Sequence, residues 1–132
     1  MIRAFAQHNG GWFHWLGALY GREKAEVFSI ANLHLLPGAV GLNIVDSFSL
    51  LTPLVTVKLD THGPEIYYLE HGVNGVMTEN NVDVFTSEVC KLLRDRAALK
   101  LLIKGCDKAR KKYTIENMVD RFVEGILLAL NK

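Results

Sequence analysis

Residues 33–57 read LHLLPGAVGLNIVDSFSLLTPLVTV, and the fold turns on how this stretch divides. Leu33-His34-Leu35-Leu36 is short, apolar and closed by Pro37-Gly38, the pattern of a strand buried on both faces. From Gly41 the pattern changes. Leu42, Val45, Phe48 and Leu51 recur at intervals of three with Asn43, Asp46 and Ser49 between them, which predicts an amphipathic helix. Pro53 stops that helix, and Leu54-Val55-Thr56-Val57, apolar and β-branched, reads as the next strand. A strand, a helix and a strand in such close succession imply parallel pairing through a right-handed crossover.

Upstream, Asn9-Gly10-Gly11 breaks the chain, and Trp12-Phe13-His14-Trp15-Leu16, aromatic and bounded by Gly17, suits an earlier strand. Gly21-Arg22-Glu23-Lys24 opens a segment with Ala25, Val27, Phe28 and Ala31 at roughly helical spacing, ending near Asn32. Downstream, a loop holding His62 and Gly63 leads to Pro64. Proline costs nothing in a first helical turn, so Pro64 to Leu69 reads as a short helix. Asn74-Gly75 offers a turn before Val76-Met77, and the rest is helical: Val82 to Arg94, Ala97 to Lys111, and a last helix after Thr114. There Asn117 stands where a full capping box has Glu or Gln, and Met118, Phe122, Ile126 and Ala129 or Leu130 form a face expected to dock on the core. No repeat or linker divides the chain. Residues 1–132 are expected to be a single, partial Rossmann-like domain: α/β, three-layer α/β/α, with a small parallel sheet of about three to four strands and a helical C-terminal part. Most such sheets hold more strands, so some are expected to be missing from the front.

Composition narrows the function. With 15 Lys and Arg against 14 Asp and Glu, the chain has no broad field to attract nucleic acid or an acidic membrane, so an anionic ligand must be bound locally. Cys90 and Cys106 lie in helical stretches without metal-ligand spacing and are expected to be free, buried thiols in a reducing cytoplasm. Met1 to His8 lacks the apolar core of a signal peptide, and no apolar run reaches the roughly 18 residues of a membrane span. His8, His14, His34, His62 and His71 show no zinc pattern, and no phosphate-binding P-loop, dinucleotide fingerprint or hydrolase elbow occurs. Lys104, Lys108, Arg110, Lys111 and Lys112 read as a solvated basic face.

In an open parallel sheet, ligands bind beyond the carboxyl ends of the strands. The loop Gly38-Ala39-Val40-Gly41-Leu42 leaves the Leu33–Leu36 strand. Its glycines let the backbone approach a ligand, and its amides with the following helix end favour an oxygen-rich anion, although ordinary strand-to-helix turns use glycine too. Asp46 falls one turn into that helix, where its carboxylate can accept two ribose hydroxyls or simply face solvent. A second loop carries His62 and Glu65 at another helix start, as secondary candidates.

The ordered set of Pro37 through Ser49, then Thr52-Pro53-Leu54-Val55-Thr56, Pro64-Glu65 and Gly72-Val73-Asn74-Gly75 resembles the C-terminal domain of family 4 glycosyltransferases, which have the GT-B architecture of two facing Rossmann domains. The resemblance runs from about Trp12 to the C-terminus and includes Leu16 to Gly21. It implies binding of a nucleotide sugar, a UDP- or GDP-sugar, without cofactor or catalytic metal, in a retaining enzyme of polysaccharide biosynthesis that would meet the membrane only peripherally. Of the family's two acids separated by seven residues, the second falls on Asp46, implied to hold the ribose, and the first falls on Gly38. The Gly41 and Leu42 amides are implied to face the donor's sugar or phosphate. The diphosphate-binding Arg and Lys of the family would precede Ile2, and the acceptor belongs to an N-terminal domain. The chain is therefore expected to be a fragment, not competent for transfer alone. The alternatives are a non-catalytic module that associates with a partner chain or with itself through an open sheet edge and Trp12, Phe13 and Trp15, or a fragment of a GT-B-type sugar-nucleotide epimerase.

Overall fold

The computed structural model describes residues 2–9 and 11–131, with side chains throughout except those of Ile2, Arg3 and Ala6. In chain order the elements are α1 (Ile2–His8), α2 (Gly21–Ser29), β1 (His34–Leu36), α3 (Asn43–Ser49), β2 (Leu54–Val57), a 3-10 helix (Pro64–Tyr68), β3 (Gly75–Thr78), α4 (Val82–Arg94), α5 (Arg96–Lys112) and α6 (Ile115–Leu130). The strands form one parallel sheet in the order β1-β2-β3, with Leu54 opposite His34 on one side and Gly75 on the other. The architecture is the small α/β, Rossmann-like one that the alternation of strands and helices dictates.

β2 is central, and all four of its residues are buried. Because successive side chains point to opposite faces, Leu54 joins Val40, Ile44, Phe48, Cys106 and Ala109 in one apolar cluster, while Val55 joins Val76, Val89, Leu92 and Leu102 in another. The first cluster is built by α3 and α5. The second is built mainly by α4, and α5 reaches both. Side chains of this size stabilise by roughly 1.5–3 kcal/mol each on burial, so these two clusters hold the layers together. On α3 the buried face is Ile44, Ser47 and Phe48, while Leu42 is left exposed, a quarter-turn away from the face that the interval of three suggests. The helix ends as Leu51 takes a left-handed φ of 57° and Thr52 N–H returns to the Ser47 carbonyl, which closes the last turn before Pro53.

Short polar side chains fix the helix starts. Asn81 Oδ1 accepts from the Asp83 and Val84 amides, and Asp95 Oδ1 from those of Ala97 and Ala98. Thr114 caps α6 by accepting from Asn117 N–H, but Asn117 does not return to Thr114; its amide donates to the Lys111 and Lys112 carbonyls and so closes α5.

Besides the burial of Leu42, four expectations fail here. Trp12 to Leu16 is not a strand: the chain turns at Gly11-Trp12 and continues irregularly, and Trp12 and Phe13 pack edge-on against Phe5 of α1 instead. A strand needs a neighbour for its backbone groups, and among the described residues none pairs with this run. β1 is not buried on both faces, because it is the sheet edge and no described element covers Leu35, which is 46% exposed. Cys106 is buried but Cys90 is exposed. Finally, α6 does not dock on the core: Met118, Phe122, Ile126 and Leu130 are all exposed. Just before α6, Tyr113 stacks on Tyr68 with centroids 4.2 Å apart, with Phe48 beyond.

Besides its apolar contacts, α5 is tied to the 72–75 turn by a polar one. Asn74, 2% exposed, accepts from the Glu70 amide, donates to the Tyr68 carbonyl, and offers its own carbonyl to the Cys106 thiol, whose pKa burial pushes up to about 12. α5 comes this close because Gly105 lies directly against the Val73 carbonyl, where any side-chain carbon would overlap it. Gly105→Ala is therefore expected to cost about 3 kcal/mol or more in urea unfolding, despite alanine's better helix propensity. A loss below about 1 kcal/mol would show that α5 can shift without consequence.

Candidate functional site

Three loops leave the carboxyl ends of the strands: residues 37–42 after β1, 58–63 after β2 and 79–81 after β3. The first carries Gly38, Ala39, Val40, Gly41 and Leu42. An added Cβ at Gly38 or Gly41 would meet no atom within 4 Å, so the space in front of both is open, and neither has a φ that demands glycine. The loop is anchored through Val40. Its side chain is 1% exposed, its N–H donates to His62 Nδ1 at 3.1 Å, and its carbonyl accepts from Gly63 N–H at 2.9 Å. Gly63 lies close to this loop: a side-chain carbon there would press on the Val40 carbonyl at 3.1 Å and displace the Glu65 carboxylate. Gly41 N–H is held by Asn43 Oδ1 at 3.0 Å. Of the two amides that the resemblance assigns to the donor, then, one already has a partner within the chain.

His62 is held at both ring nitrogens. Val40 N–H can only donate, so Nδ1 accepts; Nε2 lies 2.8 Å from the Val57 carbonyl, which can only accept, so Nε2 carries the hydrogen. The ring therefore offers no spare hydrogen to a phosphate. Glu65 sits in the first turn of the 3-10 helix, beside Gly63. His62 also lines a shallow depression of about 510 Å³ together with Lys58, Asp60, Tyr67, Met77 and Asn80, at the mouth of β2 and β3. Neither residues 38–42 nor Asp46 is part of that lining.

Asp46 lies on the other side of α3 from the core and is half-exposed. Its Oδ2 accepts from Lys24 Nζ of α2 at 2.8 Å, with both side chains more than a third exposed. A pair this exposed contributes little to stability. It does put a cation beside the carboxylate, which sequence spacing could not suggest, since Lys24 arrives from a separate helix. Beneath the pair, His34 Nδ1 lies 2.8 Å from Ser47 Oγ and the ring meets Phe28 edge-on. Burial holds the His34 pKa below its ordinary 6.5; the Asp46 carboxylate opposes this, the Lys24 ammonium reinforces it, and burial prevails.

The sequence matches no protein-family model and no curated protein. Among the described residues no group of three or more His, Cys, Asp or Glu is placed to hold a metal ion, and no helix is long and apolar enough to cross a membrane.

The His34 environment sets a pH dependence. A histidine whose folded pKa is depressed binds its proton more readily when unfolded, so its share of stability is complete above 6.5 and is lost as pH falls from there toward the folded value. Thermal unfolding of the wild type is expected to fall more steeply between about pH 7 and pH 5 than that of His34→Gln, and the His34 ring proton should titrate below 6.5 by NMR. Parallel curves for the two proteins would remove His34 from the acid limb.

Proposed function

We propose that this chain is the nucleotide-sugar-binding portion of a retaining glycosyltransferase of the GT-B type, acting in polysaccharide assembly on a UDP- or GDP-sugar without a catalytic metal. The observation that carries the reading is the 37–42 loop. It leaves β1 at its carboxyl end, has open space before Gly38 and Gly41, and leads into the helix that bears the half-exposed Asp46 carboxylate. In this reading the Leu42 and Gly41 amides take the oxygens of the donor's sugar or phosphate, with Asn43 giving way at Gly41. Asp46 takes the ribose hydroxyls while keeping its second oxygen on Lys24. Support comes from the position of these groups at the edge where open parallel sheets bind ligands. Transfer also needs a stabilised leaving diphosphate and an acceptor set against the anomeric carbon. In this reading residues 38–46 supply neither, so they bind the donor without transferring it.

Titration of the isotope-labelled chain with UDP and GDP, followed by amide NMR, tests this. Weak binding is expected, with a Kd on the order of 1 mM and shifts at residues 38–46. Asp46→Asn should weaken it about tenfold, as loss of a charge-assisted hydrogen bond does. Unchanged affinity in the variant would remove Asp46 from the site, and no shifts with either nucleotide would sink the reading.

A second reading, a module that associates with another chain or with itself, is favoured by one observation: α6 has no buried residue although Ile115, Val119, Phe122 and Ile126 follow one another along a helical stripe. Sedimentation velocity at several concentrations is expected to show self-association in this case, and a strict monomer up to about 100 μM would count against pairing of the chain with itself.

A further inference from the structure

We propose that His62 is a positioning residue, which sets the direction of the amides in the 37–42 loop and does not itself touch the ligand. The proposal deepens the nucleotide-binding reading and rests on it. Val40 is held at three points: its side chain in the core, its N–H on His62 Nδ1, and its carbonyl on Gly63 N–H. Each bond fixes a peptide plane. In a trans peptide the N–H and C=O point in opposite directions, so a Val40 carbonyl aimed at Gly63 turns Gly41 N–H away from the 58–63 loop, and a Val40 N–H aimed at His62 turns the Ala39 carbonyl away from it. The 37–42 loop has no regular ladder of its own to define these planes, and the helix that follows it is only seven residues long. The imidazole supplies the definition from the neighbouring strand, since the Val57 carbonyl at the end of β2 holds Nε2–H and so leaves Nδ1 as the acceptor. Strand, ring and loop thus form a chain of bonds from β2 to Val40, the residue directly before the Gly41 and Leu42 amides proposed to meet the donor.

Two substitutions separate this role from plain structural support. In His62→Asn the amide oxygen falls near the place of Nδ1 and can still accept from Val40 N–H, while the link to Val57 is lost. In His62→Gln the amide reaches the place of Nε2 and can still donate to Val57, while Val40 N–H loses its acceptor. On the full labelled chain without ligand, a through-hydrogen-bond nitrogen–nitrogen coupling between Val40 and His62 Nδ1 is expected in the wild type; its absence overturns the proposal. On titration with UDP and GDP, His62→Asn is expected to stay near the wild-type affinity and His62→Gln to lose about fivefold or more. Equal losses in the two variants, or none in either, would overturn the positioning role. Should the wild type bind neither nucleotide, the donor reading fails by itself, and hydrogen exchange at Gly41 and Leu42 still decides about His62: faster exchange in His62→Gln than in His62→Asn supports it, equal exchange refutes it.

Discussion

β2 is covered on both faces, and most of the molecule is arranged to make that possible. Its four residues offer alternate side chains to two separate apolar clusters, so α3 must lie on one face and α4 on the other. α5 serves both: Leu102 belongs to one cluster, Cys106 and Ala109 to the other, and Gly105 between them lets the helix close onto the 72–75 turn. Asn74 then ties this turn to its neighbours through three hydrogen bonds, with the Glu70 amide, the Tyr68 carbonyl and the Cys106 thiol. A parallel strand of four residues has no intrinsic stability. It exists because apolar surface is removed from water on both its sides.

The candidate site inherits its geometry from that core. The loop after β1 is not self-supporting: Val40 drops its side chain into the α3–α5 cluster and hands its backbone groups to His62 and Gly63, which themselves follow directly from β2. Thr56 of β2 also lies within 3.5 Å of the Gly38 carbonyl, a long and weak contact that points the same way. The site is thus held by neighbouring strands through the backbone, leaving glycine positions and one carboxylate as its outward features. Asp46 is matched by Lys24, from a helix that precedes β1, so the charge at this corner is nearly neutral.

Both ends of the chain follow a different rule. Phe5, Trp12 and Phe13 form a small aromatic group of their own, and α6 carries its apolar residues into solvent after Tyr113 has completed the core. Aromatic composition and helical periodicity say that these segments want burial. They do not say against what, and among the described residues neither the aromatic group nor the apolar stripe of α6 joins either core cluster.

Local pattern alone determined β2, α4 and the start of the 3-10 helix. Leu54 to Val57, Asn81 before Val82 and Pro64 carry their structural consequences within a few residues, because β-branching, capping and a fixed φ act locally. The parallel sheet followed from the same alternation. The glycine loop and Asp46 were legible as candidates by position in that order. Tertiary structure decided the rest. Leu42 lost its predicted burial to Ile44, and Leu33 to Leu36 became an edge strand. Trp12 to Leu16 found no strand to pair with, and the His62 ring became a link between loops. Lys24 met Asp46 across 22 positions. Each of these outcomes depends on which other segment arrives at a given face, and packing partners distant in sequence leave no periodicity behind them.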